Sequence, residues 1–389
     1  MYRYNFDNPP QRRGTASLKW AVAENELPMW VADIDFPVAP EIKEALRRRV
    51  DHGIFGYDIL EDSWYEAYIT WWKERHGLVI ERDWLLFSLG VVASVASIMR
   101  RLAPAGGKVL LQTPVYNAFF HVIEASGLRV EESPLVYDGT NYRIDFADLG
   151  AKLADPEVTL MVLCNPHNPV GRIWTAEELA RIGELCHAHG VTVISDEIHC
   201  DVCAPGVEYV AFASVNDLCR DISITCISPT KTFNLAGIQT SAVFAADPKL
   251  REIARRALAV DEVNTPNSFA APAAVSAFAE GGAWLEEMRK YVWENRRLVE
   301  ETLARALPEV KVVPGKATYL LWVDVSALTD EVKAFCTDLR AETGLFVTPG
   351  TVYGAPGEGF FRWNIACPRS TVQDALARLI AFARKERQG

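Results

Sequence analysis

Lys231 stands in the stretch SPTKTFNLAG (residues 228–237), directly after the short β-branched run Asp221–Ile227. That run reads as a buried strand, so it delivers an amine to a turn at its C-terminal end, where open α/β sheets hold their ligands. An amine in such a place is either ion-paired or a nucleophile that forms an imine with a carbonyl. Four other strand-like runs also end in residues able to do chemistry. VTVISDEIHCD (191–201) ends in Asp196, Glu197 and His199, and TLMVLC (159–164) runs into NPHNPVGR, whose two Asn-Pro pairs fix the backbone around Asn168. KVLLQTPVYNAFF places Tyr116 just past a strand end. WLLFSLGVV sets Gly90, Val91 and Val92 at a strand–glycine–helix junction, where the free first-turn amides suit a phosphate.

These residue types match what a planar, phosphorylated pyridine aldehyde requires of a protein. It needs a lysine for the imine and a carboxylate that keeps the ring nitrogen protonated, so that the ring can draw in electrons. It also needs a donor for the phenolic oxygen, an aromatic ring to stack on it and a helix N-terminus for the phosphate. Lys231, Asp196, Asn168 with His199, Tyr116 and the Gly90–Val92 turn fill those places in order, and Ser228 adds a hydroxyl for the phosphate. Cys200 and Cys203 form a CxxC preceded by His199, which leaves a metal or redox site open, although no second pair accompanies it. Cys186, His187 and His189 crowd one helix end and read as polar surface, since alternate helix positions face different ways.

To bring such residues to one edge, the chain must alternate strands and helices. Runs at 85–89, 108–111, 159–164, 191–196, 221–227 and 241–246 do alternate with helical patterns, which predicts an α/β domain over 46–280 with a mostly parallel sheet. Thr175 and Glu178 form a capping box for one of its helices. Ahead of it, residues 1–45 read as an irregular arm entering a helix near Pro40. The arm's apolar segment LPMWVADIDFP (27–37) must either dock on the core or rim the site. HGIFGYDILE (52–61) is a turn carrying Tyr57, and Ser63–His76 an amphipathic helix. Past Gly281-Gly282 the pattern changes: a long helix near 283–307, a helix over 330–342, a strand over Gly359–Cys367 bearing Arg362, and a last helix opened by a Ser370/Gln373 capping box. This predicts a smaller α+β domain over 281–389, joined by part of the arm.

The 389 residues carry a net charge of −11, with no lysine- or arginine-rich run, which argues against nucleic acid or an acidic membrane as partner. No apolar run approaches bilayer length, and the first residues lack the apolar core of a secretion signal. Eight cysteines in such a chain read as free thiols in a reducing compartment, so the expected location is the cytoplasm.

The motifs PMWVADIDF, HGIFGY, QTPVYNAFF, NPHNPVGR, SDEIHCD and SPTKTFNLAG resemble, over nearly the whole chain, fold-type-I pyridoxal-phosphate enzymes of the class I/II aminotransferase superfamily. Within it they resemble the MalY/PatB type of carbon–sulfur β-lyase. The resemblance implies that pyridoxal 5′-phosphate is held by Lys231, which later moves the substrate Cα proton. It implies that Tyr116 stacks on the ring, Asp196 pairs with the pyridinium, and Asn168 and His199 lie near the phenolic oxygen. Gly90, Val91, Val92, Ser228 and Thr230 would serve the phosphate, together with Tyr57 reaching over from the neighbouring subunit of a homodimer. Arg362 in FRWNIA would take the substrate α-carboxylate, with Asn168, Ala32 and Tyr57 beside it. One position departs from the pattern: Gln239 stands where many aminotransferases carry a phosphate-gripping arginine.

The expected reaction is α,β-elimination of L-cystathionine or a related cysteine S-conjugate to a thiol, pyruvate and ammonia. Transamination of an L-amino acid is the alternative open to the same residues. A protein that keeps the fold only for binding or regulation is a third reading, and the presence of Lys231, Asp196 and Arg362 argues against it. Contact with a regulator stays open.

Overall fold

The computed structural model describes residues 2–386. Its main sheet has seven strands in the order Leu85–Ser88, Ser241–Phe244, Ser223–Ile227, Thr192–Asp196, Val158–Cys164, Lys108–Leu111 and Arg129–Glu132. Only Ser241–Phe244 runs against its neighbours; the other pairings are parallel. Parallel strands need both faces covered, and the near-continuous apolar character of VTLMVLC reflects that. Alternate residues of each strand enter different cores. Met161 and Val193 pack with Leu179 and Ile182 of the Ala176–Ala188 helix, whereas Val162 and Ile194 pack with Val95 and Ile98 of the Val91–Leu102 helix and Leu258 of the Pro248–Val260 helix. The Thr175/Glu178 capping box is present. Cys186 is not polar surface as expected: it is fully buried in the core on its helix's inner face, and only His187 and His189 are exposed.

A second, antiparallel sheet orders Lys311–Val312, Leu320–Asp324, Phe360–Asn364 and Thr348–Pro349. It is covered by the Val332–Thr343 and Arg369–Glu386 helices and by the long helix Gly282–Ala306, whose Asn295 donates to the carbonyls of Ile365 and Cys367. The last helix starts directly after Pro368, whose carbonyl accepts from Thr371 and Val372, so Ser370 lies inside the first turn rather than at its cap. Gly350 and Gly357 cross backbone to backbone beside the Phe360–Asn364 strand. A β-carbon on Gly350 would come 2.1 Å from the Gly357 carbonyl and 2.6 Å from that of Phe360.

The arm is tied to both sheets. Leu27–Pro28 pairs in parallel with Leu345–Phe346, and Asn364 donates to the carbonyls of Val31 and Asp33. Asn234, just past the lysine turn, donates to those of Ile34 and Phe36. Buried Lys19 and half-buried Arg12 both lie 2.7 Å from the Asp35 carboxylate, pinning the bend. All eight cysteines are buried and unpaired. Among the described residues no helix is long and apolar enough to cross a membrane.

Candidate active site

Five strands that run the same way, Leu85–Ser88, Lys108–Leu111, Val158–Cys164, Thr192–Asp196 and Ser223–Ile227, end on one edge of the main sheet, and a cavity of about 410 Å³ sits over their exits. The helix start contributes Gly90, Val91 and Val92 to its wall, and the next strand exit contributes Tyr116. Asn168, Asp196 and His199 come from the two central strands, Thr230 and Lys231 from the lysine turn, and Ala32 from the arm. The arm therefore both docks on the core and rims the cavity.

The Lys231 Nζ donates to the Ala32 carbonyl at 2.6 Å. Burial pulls its pKa down to about 8, and the nearby charge of Arg362 adds to this. An amine so placed is far more often neutral, hence nucleophilic, than an exposed lysine. Across the cavity, burial pushes the Asp196 carboxyl up to about 6, moderated by the Ile198 N–H 3.0 Å away and by Lys231. A carboxylate held dry in this way gains by facing a cation, such as a protonated ring nitrogen. His199 is kept neutral, chiefly by burial and then by the charges of Lys231 and Arg362, with its pKa down at about 3. Its Nδ1 is buried without a partner.

Arg362 stands behind Asn168. One guanidinium nitrogen donates to Asn168 Oδ1 at 3.3 Å and another to the Trp30 carbonyl at 2.9 Å, while Nε is buried with no partner. The guanidinium lies over the Tyr353 ring, 4.9 Å from its centroid. Ser228 is set one layer back: its Oγ donates to the Thr240 carbonyl at 2.7 Å and lies 2.7 Å from Thr230 Oγ1, so the cavity meets Thr230 instead. The Val91–Leu102 helix begins at Gly90 with no side-chain cap, and a β-carbon at Gly90 would meet no atom within 4 Å. Gln239 also lines the cavity. Tyr57 does not join its own chain's cavity; it is fully exposed, beside exposed Ile54, Phe55 and Ile59.

Cys200 and Cys203 are buried free thiols, and Cys203 Sγ donates to the Cys200 carbonyl. Cys200 does approach His76 and Asp201, their ligand atoms lying within 4.8 Å of one another. Asp201, however, already receives Trp71, His76 and Arg75 on Oδ1 at 2.9–3.0 Å and Thr232 on Oδ2 at 3.0 Å. A carboxylate so engaged already has its charge answered by the Arg75 guanidinium. Its place is structural: it fixes Thr232, the residue after the lysine.

Four residues near the chemistry were not among the site residues expected from the sequence, although Trp30 and Asp201 lie within the quoted motifs. The Tyr319 hydroxyl donates to the same Ala32 carbonyl as Lys231, at 3.4 Å, and its ring meets His199 edge-on. Tyr353 and the Trp30 carbonyl hold Arg362, and Asp201 braces the lysine turn. The residues present fit pyridoxal phosphate: an uncapped helix start for phosphate, an orphaned Nδ1 on His199, a dry carboxylate on Asp196 and an amine whose pKa burial has lowered.

Residues 24–379 match the family model for aminotransferase class I and II. The chain is 41% identical over 383 residues to cystathionine β-lyase PatB of Bacillus subtilis, across 97% of this chain and 99% of that protein. It is 31% identical over 392 residues to protein MalY of Escherichia coli, across 99% and 100%. The crystal structure of cystalysin from Treponema denticola, which contains a pyridoxal 5′-phosphate cofactor, superposes with a TM-score of 0.95 at 31% identity, covering 98% of this chain and 99% of that one. The chain belongs to the class I and II aminotransferase family, in the company of PatB and MalY.

Proposed function

We propose that this protein is a pyridoxal-phosphate-dependent carbon–sulfur β-lyase that removes a thiol from L-cystathionine or a related cysteine S-conjugate and leaves pyruvate and ammonia. The observation that carries the reading is the buried amine of Lys231, its pKa lowered by burial, sharing one cavity with the Asp196 carboxylate. The kinship with PatB narrows it to the lyase.

Pyridoxal phosphate, when bound, supplies the electron sink that makes a Cα–H bond acidic. Lys231 would hold its aldehyde carbon and Asp196 would keep its ring nitrogen protonated, with the ring flanked by Tyr116 and the phenolic oxygen facing Asn168 and His199. The Val91 and Val92 amides and the Thr230 hydroxyl would receive the phosphate, and Ser228 would brace Thr230 from behind. Arg362 binds the substrate α-carboxylate, which gives its unpartnered Nε an acceptor and turns the Cα–H bond toward Lys231. The incoming substrate's amine would take the lysine's place on the aldehyde carbon, and the freed lysine amine would then take the Cα proton; the thiolate would leave Cβ, and the released enamine would hydrolyse to pyruvate and ammonia.

The same reading extends to assembly. The exposed, apolar stretch around Tyr57 supports a homodimer in which Tyr57 reaches the phosphate and substrate of the neighbouring site. We divide the chain into an arm (1–45), a large cofactor-binding unit (46–280) and a small unit (281–389). The pairing of the arm with Leu345–Phe346 supports grouping part of it with the small unit. The eight buried, unpaired thiols support residence in the reducing cytoplasm.

The test mixes cofactor-loaded protein with L-cystathionine, without a keto acid, and follows pyruvate, free thiol and the cofactor's absorption band. Sustained pyruvate and thiol, lost in Lys231→Ala, are expected. A single-turnover shift to pyridoxamine phosphate, with turnover restored only by a keto acid, would make the protein an aminotransferase instead.

A further inference from the structure

A cavity of about 770 Å³, larger than the one over the lysine, opens where the loop after Asn168 meets the Pro314–Lys316 turn and the flank of the Gly282–Ala306 helix. In a chain of net charge −11 its wall is cationic, carrying Arg172, Lys290, Arg296, Arg297 and Lys316. Arg172 is neutralised by Glu178 at 2.7 Å and Arg296 by Glu300 at 2.8 Å, while Glu294, the other acid on the wall, is engaged by Arg369. Lys290, Arg297 and Lys316 have no ion-pair partner among the described residues. Arg296 is nearly buried, at 6% exposure, with Nε on Glu300 and Nη2 on the Val313 carbonyl. Its Nη1 has no hydrogen-bond partner among the described residues.

Three unpaired cations and one spare guanidinium donor thus border a single hollow, whose remaining wall includes the indole of Trp293. Converging unpaired donors are the complement of clustered anionic oxygens, and the recess focuses their field. We propose that this cavity binds a small anion carrying two or more charges on clustered oxygens, a phosphate ester or a polycarboxylate, at a site separate from the active site. The segments that form it are joined directly: the Gly171 carbonyl accepts the amides of Lys316 and Ala317 at 2.8 and 3.1 Å. An anion held by Lys316 and the spare Arg296 nitrogen therefore sits beside this junction of the two segments that carry Asn168 and Tyr319 to the active-site cavity.

Calorimetric titration of the cofactor-loaded enzyme at fixed ionic strength, with pyrophosphate in one arm and citrate in the other, tests this. Loading with cofactor fills the other phosphate site beforehand. The expected result is one saturable site per chain, tighter for pyrophosphate if phosphate esters are the natural occupants and tighter for citrate if polycarboxylates are. Lys290→Gln should weaken it by up to about fivefold, and Arg297→Gln with Lys316→Gln by up to about 25-fold, from the worth of exposed ion pairs. Lys249→Gln, on the distant Pro248–Val260 helix, should change nothing. All of these side chains are exposed, so none of the variants removes packing. No saturable binding of either anion, or unchanged affinity in the double variant, would overturn the proposal.

Discussion

Tyr353→Leu should impair capture of the substrate rather than its turnover. The ring of Tyr353 is fully buried and lies 4.9 Å from the guanidinium carbon of Arg362, itself only 5% exposed. A cation over an aromatic face gains about 0.5–1 kcal/mol when exposed and about 2 kcal/mol when desolvated, and this pair is desolvated. Losing about 2 kcal/mol corresponds to roughly a 30-fold drop in kcat/KM. Because Asn168 and the Trp30 carbonyl still aim the guanidinium, the orientation of the Cα–H bond is kept and the loss should fall on KM, with kcat nearly unchanged. Tyr353→Phe keeps the ring face and should stay within about threefold of the parent. The assay is the initial rate of pyruvate release against L-cystathionine concentration at saturating cofactor, with thermal unfolding recorded for both variants to separate lost packing from lost binding. If the phenylalanine variant falls as far as the leucine variant, or if kcat falls while KM holds, the ring is not acting through Arg362 and the reasoning fails.

Three further outcomes are expected. Reloading of the apoenzyme with pyridoxal phosphate should accelerate with pH and level off above about 8, where burial sets the Lys231 pKa; a midpoint near the ordinary 10.5 would contradict that burial. Burial alone would raise the Asp201 pKa, but His76 and Arg75 outweigh it and hold it below the usual carboxylate value. Its contribution to stability is therefore present above pH about 4 and fades as pH falls through the depressed value. Asp201→Asn should cost about 3 kcal/mol in urea unfolding at neutral pH and flatten that acid dependence, and an unchanged acid limb would show the charge to be idle. Gly350→Ala forces apart two crossing backbones and should cost about 3 kcal/mol or more; a variant melting like the parent would mean that the crossing yields freely.

Legibility in the sequence followed local punctuation. Lys231, Asn168 and Tyr116 each follow an apolar run broken by Pro or Asn, and Asp196 is the first acid at the end of another; a parallel sheet carries all such strand ends to one edge, so their places along the runs brought them together. Tyr319 and Tyr353 lie beyond that logic. They belong to the part of the chain built on the second sheet, and only its packing against the first, through contacts hundreds of residues apart, brings them to the site. Cys186 was readable, since it continues the inward stripe of Leu179 and Ile182, but its histidine neighbours disguised the period. Ser228 shows a finer limit: one backbone turn decides whether it or Thr230 faces the cavity. For Tyr57 a single chain records exposure alone, because the contact expected of it lies on a second copy.

The arm has a consequence for how the molecule is made. Its carbonyls at Ala32, Ile34 and Trp30 wait for Lys231, Asn234 and Arg362, partners 199, 200 and 332 residues further along. This apolar segment is therefore synthesised long before the strand that receives it. On the ribosome the main sheet can assemble with the arm still unclaimed, and the roof over the reactive amine closes only once the Phe360–Asn364 strand has followed it out. A polypeptide interrupted before the Phe360–Asn364 strand would carry the amine but lack its seal, so a closed pocket certifies that the second sheet has been made.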